Sequence, residues 1–364
     1  MLFTYRYISH DIEKLQEYLD FLFYEVWLNA NGEFDAEKLN GNPELRQIYI
    51  DFGNSEGKWA MFFNSSIEKI YSEFAKVDED FKAELRTLYE ANNDVESLCC
   101  DKSRIPVTYD EIKARYPDLE KELRAFYSKL CGTESPFNLE AFGQLNKKMI
   151  PSHYEAFMTE NEDGVCPFCG ISKIDGNNVS TREAYDHYLP KSIYPFNPVN
   201  FKNLAPMCDK CNSRNKGTKD PIIFQNIRQL SFYPYAQTHP EIDIRLDLKS
   251  KNIKHLKFED IDLVISSEGH DEEIESWKRV FGIENRYKAL CCDKNEGIEW
   301  FNTVIDGFEN AKELCGITDF DRWVDMKLRD AGRNKLSNFG FLKEPFLREC
   351  MSKGLFSPYS EGAP

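Results

Sequence analysis

Four cysteines stand in two Cys-x-x-Cys pairs, Cys166/Cys169 in "CPFCG" and Cys208/Cys211 in "CDKC". Four thiolates at such spacing can enclose one tetrahedral zinc, and a site closed by four protein ligands is structural rather than catalytic. Its work would be to clamp the start of a segment to its end and fold what lies between. Between them stands "DHYLPKS" at 186–192, where Asp186 directly precedes His187, one of only six histidines in 364 residues. Successive strand residues face opposite ways, so this carboxylate and this imidazole can act in different places. Two reduced pairs with no metal are the plain alternative. The other seven cysteines (99, 100, 131, 291, 292, 315 and 350) are scattered, and the adjacent pairs 99–100 and 291–292 do not suit chelation.

The order of residues over 166–220 resembles that of the HNH endonucleases, which have a ββα-metal fold. Their pattern is Asp-His on one strand, Asn-Leu-x-x-x-Cys on a second, and Cys-x-x-Cys followed by His or Asn at the start of a helix with a Lys nearby. Here these are Asp186–His187, Asn203–Leu204 through Cys208, and Cys208 to Asn212 with Lys216. The resemblance implies a metal-dependent hydrolase of nucleic-acid phosphodiesters, with DNA the expected substrate. It implies His187 as general base and Asn203 as the catalytic-site residue that bonds backbone across the loop to position it. Asp186 and the Asn212 amide oxygen would hold a catalytic divalent ion, with Cys166, Cys169, Cys208 and Cys211 on structural zinc. Two departures matter. Histidine commonly stands where this chain has Asn212, and Lys216 comes four residues later rather than three, which leaves Asn215 as an alternative ligand. Asparagine in place of histidine favours magnesium or manganese at the catalytic position. Lys191, Arg214 and Lys216 are candidate phosphate contacts, against the plainer reading of lysines on a solvated basic face. More narrowly, "DHYLPKSIYPFNPVNFKNLAPMCDKCN" followed by "WKRVFGIENRY" resembles HNH proteins of bacterial anti-phage operons, such as the HNH subunit of Septu-type systems. That likeness implies an antiviral-defence effector with an ATPase partner.

The elements that must position these residues are legible in outline. Residues 1–150 read as helical: Ile12, Leu15, Tyr18, Leu19, Leu22 and Val26 recur at three- and four-residue intervals after a Ser9 cap, and Pro117 interrupts a later amphipathic stretch. The region 151–235 is the cysteine-bearing module, rich in Pro, Asn and Gly. Over 236–364, "EIDIRLDLKS" and "FEDIDLVISS" alternate as a hairpin across 241–267, helices follow, and "SPYSEGAP" reads as a loose tail. "SFYPYAQ" and "YPFNP" are expected to pack on the zinc module, with stacking on bases the alternative, and Arg286 to pair with a carboxylate. The fold class is therefore α+β, mostly helical, with a zinc-stapled ββα module between an all-α N-terminal region and an α/β C-terminal one.

Composition narrows the function classes. Lys and Arg number 46 against 62 Asp and Glu, a net −16, which is wrong for strong unassisted sliding on DNA. Over 181–230, however, eight basic residues face four acidic ones, a local +4 suited to phosphate contact. A partner is the expected means of bringing substrate to an otherwise acidic chain. No apolar run of membrane-spanning length and no secretory start are present, so a cytoplasmic protein is expected. No phosphate-binding Gly-x-x-x-x-Gly-Lys-Ser/Thr loop occurs, so any ATPase is a separate chain. The competing reading is a non-catalytic zinc module that binds nucleic acid or protein and regulates such an ATPase. It does not account for Asp186, His187, Asn203 and Asn212 also falling in order.

Overall fold

The structure is a computed structural model describing residues 1–55, 57–131, 149–179 and 181–357, without the side chain of Trp59. All but Ser357 of the expected tail lies outside them. The described chain is mostly helical with short antiparallel strand pairs, an α+β fold. It falls into two compact units: Thr4–Gly164 with Ile174–Gln237, and Met1–Phe3 with Val165–Lys173 and Thr238 onward.

The first unit is built on amphipathic helices that begin where capping residues allow. Asn42 accepts the Leu45 N–H (3.0 Å) before Pro43–Gly53, and Asp78 accepts the Phe81 N–H (2.8 Å) before Glu79–Asn93. Pro117 divides the stretch after residue 109 into Tyr109–Arg115 and Pro117–Leu130 by taking the first position of the second helix, where its missing N–H costs nothing. The first helical segment differs from expectation at its start. His10, not Ser9, caps it: the imidazole Nδ1 accepts the Ile12 N–H and Glu13 accepts the His10 N–H, both at 3.1 Å. An imidazole lone pair serves as well as a hydroxyl when a glutamate three residues on completes the reciprocal pair.

Leu22, Phe23, Trp27, Ile67, Phe74, Leu85, Leu123 and Phe126 form the fully buried centre of this unit, with Phe23 stacked on Tyr89 at 3.9 Å. Phe196 and Val199 join the same core. The "YPFNP" loop is thus plugged among the helices rather than laid on a zinc module. Buried Asn92 holds it there, donating to the Pro195 and Val107 carbonyls at 2.9 and 3.0 Å. Two strands follow from this anchored loop and its flanks. β1 (Ala184–His187) pairs antiparallel with β2 (Leu204–Met207), His187 opposite Leu204 and Ala184 opposite Met207. A short helix, Lys210–Lys216, comes next. Tyr5, Tyr233 and Tyr235 buttress this hairpin by donating to the carbonyls of Pro206 (3.0 Å), Lys202 (3.1 Å) and Leu204.

In the second unit the expected hairpin forms as Asp243–Leu248 against Ile261–Ser266, with Ile244, Leu246 and Leu248 buried and their neighbours exposed. Helices Asp271–Phe281 and Ile283–Cys292 follow. Trp277 donates to the Phe168 carbonyl (2.7 Å) and Tyr287 to that of Cys169 (2.9 Å), so the 165–173 turn is held by "WKRVFGIENRY" side chains. Arg286 donates to the Phe281 carbonyl at 3.3 Å. Among the described residues no helix is long and apolar enough to cross a membrane.

Candidate functional site

Each cysteine pair sits on a tight turn. Cys166 accepts at its carbonyl from the Cys169 and Gly170 N–H groups (3.2 and 2.7 Å), and Cys208 likewise from Cys211 and Asn212 (both 2.9 Å). Gly170 is required where it stands: its φ is +67°, and a Cβ there would lie 2.1 Å from Leu2 and 2.8 Å from the Phe341 ring. The Ile171 N–H points at the Cys169 sulfur at 3.4 Å. All four cysteines are buried, and their sulfurs lie within 4.8 Å of one another. A zinc ion with metal–sulfur distances of about 2.3 Å spreads its four ligands about 3.8 Å apart. The cluster therefore has the donors, burial and spacing to hold zinc.

His187 ends β1. Its Nε2 lies 2.9 Å from the Pro198 carbonyl, an acceptor only, so Nε2 carries the proton and Nδ1 keeps its lone pair. Burial chiefly, and then the Lys191 charge, push the imidazole down to about 3, while the Pro198 bond works the other way. The ring is accordingly neutral with one nitrogen able to accept a proton. Nothing in the sequence singled out Pro198; a backbone acceptor leaves no signature in residue type.

Asp186 is buried beside it in sequence, and its carboxylate is 2.8 Å from the Lys216 ammonium. Burial pushes the Asp186 carboxyl up, and Lys216 pulls it back. The contact between them is ionic; the directed hydrogen bond of Lys216 goes to the His187 carbonyl at 2.7 Å. Asn212, at the start of the same short helix, is half-buried, and its side chain makes no hydrogen bond among the described residues. The Asn215 amide donates to the Lys210 carbonyl. Carboxylate and carboxamide oxygens such as those of Asp186 and Asn212 are the hard donors that magnesium and manganese prefer.

Against known proteins, the chain is 32% identical over 100 residues to the Septu protein PtuB of Bacillus thuringiensis, a match covering 26% of this chain and 37% of that one. The chain thus spans little more than a third of that relative's length. No family model matches the chain, and no solved structure matches it.

The remaining candidates separate by placement. Lys191 is half-buried and its charge reaches His187. Arg214 is exposed and paired with Asp209 at 3.1 Å. Lys216 is buried, with its ammonium turned to β1. Asn203 is fully buried in the loop before β2, accepting the Leu189 N–H at 2.7 Å and donating to the Leu189 carbonyl at 3.1 Å. Its own carbonyl accepts the Tyr188 N–H at 2.8 Å. Three bonds thereby fix the chain that leaves His187. Asn203→Ala would strand a buried donor and acceptor on Leu189, costing roughly 2–4 kcal/mol. Urea unfolding should show that loss, and an unchanged midpoint would remove Asn203 from the positioning of this loop.

Proposed function

We propose that the protein is a metal-dependent endonuclease of the HNH type that hydrolyses nucleic-acid phosphodiesters, DNA first among them. The observation that carries this reading is the neutral His187, locked by Pro198 in the tautomer that leaves Nδ1 basic, next to a buried carboxylate on a strand pair leading into the Asn212 helix. His187 takes the proton of the attacking water. Held so low, it is a weak base in the resting protein; a scissile phosphate beside it both stabilises the imidazolium and offsets Lys191, each moving its affinity for a proton upward. Asp186 and Asn212, with Asn215 the alternative, would hold a magnesium or manganese ion, which when bound offers positive charge to the phosphate and the departing oxygen. The four cysteines keep a structural zinc, and Asn203 fixes the loop that follows the base.

The likeness to a Septu protein supports a further step: the chain serves as the nucleic-acid-cleaving member of a bacterial anti-phage system, working with an ATPase in the cytoplasm. The acidic balance of the chain fits a nuclease that needs a partner to engage DNA. Supercoiled plasmid decides the core claim. Magnesium or manganese should support nicking, EDTA should stop it, and activity should fall steeply with salt. Failure to nick DNA or RNA with either metal, alone or with the ATPase, would overturn it.

A further inference from the structure

The side chain of Lys216 is 1% exposed, against 71% for Arg214 on the same helix. Its ammonium is committed on two sides, to the His187 carbonyl at 2.7 Å and to the Asp186 carboxylate at 2.8 Å. Both acceptors belong to β1, whereas Lys216 closes the helix that begins beside Asn212 and is four residues beyond it, on the same helical face. One cation thus bolts the end of the helix to two consecutive residues of the strand. Pulling it out to reach a phosphate would leave a buried carboxylate without its counter-charge.

We infer that Lys216 is a positioning residue: it sets Asp186 and the main chain of His187 in register with the helix carrying Asn212, and does not bind the substrate backbone. The catalytic part of this inference rests on the nuclease reading; the structural part does not. A residue that holds a reacting group in place acts on turnover, since a displacement of about 1 Å can cost 10²-fold in rate. A phosphate contact acts on affinity, and its loss lowers the salt dependence of binding by about one charge.

The test uses the full zinc-loaded chain as Lys216→Met, which keeps the stem without charge, and as Lys216→Arg, which keeps the charge but not the point-like reach. Nicking should fall about 100-fold in kcat for the first and about 10-fold for the second, with DNA affinity and its salt slope unchanged. Hydrogen exchange at residues 184–188 should quicken by about tenfold or more in Lys216→Met, while the hairpin at 243–266 exchanges as before. Weakened DNA binding with a smaller salt slope and intact kcat would overturn the inference in favour of a phosphate contact. Unaltered exchange over 184–188 would overturn it outright. A parent chain that cuts nothing would sink the nuclease reading instead, and the exchange result would still decide whether Lys216 pins the strand. Should Lys216→Met not fold, Lys216→Arg carries the same comparison.

Discussion

His187→Ala should lower nicking by about 10³-fold while leaving zinc content and the unfolding midpoint nearly as they were. Removing a general base typically forfeits 10²–10⁴ in rate, and the fold loses only one neutral hydrogen bond, about 1 kcal/mol. The reason to expect the larger part of that range is the tautomer. With Nε2 donating to Pro198 at 2.9 Å, the ring is fixed in orientation and presents one unprotonated nitrogen. His187→Gln separates the two parts of that arrangement. Its amide can still donate to the Pro198 carbonyl, so the ring's anchoring is imitated, but it cannot take a proton. It should be as inactive as alanine. Residual cutting close to the parent level in both variants would place the chemistry on some other residue, and equal loss of zinc in both would mean that His187 serves the fold.

How far the sequence anticipates this arrangement depends on what kind of signal each part leaves. The cysteine pairs and the alternation at 243–248 and 261–266 are local patterns written in residue type, and they are readable without coordinates. The strand pair that carries Asp186 and His187 is only four residues on each side, too short for periodicity to reveal; it is reached through family resemblance. The contacts that set the chemistry are long-range and rest on atoms that every residue has. The Pro198 carbonyl that fixes His187 is one, and the His187 carbonyl that receives Lys216 is another. A lysine in a basic segment near a candidate nuclease motif suggests phosphate, whereas Lys216 lies buried against β1. Its burial arises from the pairing of strand and helix. The "YPFNP" loop departs from its expected place for the same reason. Its aromatic and proline content announces packing, but the acceptors that draw it into the helical core are backbone carbonyls reached by Asn92, about a hundred residues earlier.

Cys208→Ser is expected to have the largest effect on stability. A bound structural zinc contributes its binding free energy to folding, about 10–16 kcal/mol in small zinc domains near neutral pH. Losing even about 5 kcal/mol of it should lower the melting temperature by roughly 10–20 °C in a unit of this size. The turns on which the cysteines sit make the loss hard to absorb, because the sulfurs are buried together within 4.8 Å of one another. Chelation of the parent protein should reproduce the shift, and added zinc should restore the parent but not the variant. The contrasting variant is Asp186→Asn rather than Asp186→Ala, because alanine would leave the Lys216 ammonium buried with neither counter-charge nor acceptor, a penalty of about 3–5 kcal/mol. The amide keeps an acceptor for Lys216, though not its counter-charge, while removing the charge that a divalent ion needs. Asp186→Asn should therefore retain zinc at one per chain, lose less stability than Cys208→Ser, and lose metal-dependent cutting. If Cys208→Ser instead melted with the parent and kept its zinc, the ion would not be the staple of this site. If Asp186→Asn unfolded as readily as Cys208→Ser, the two sites would not divide the work of folding and chemistry between them.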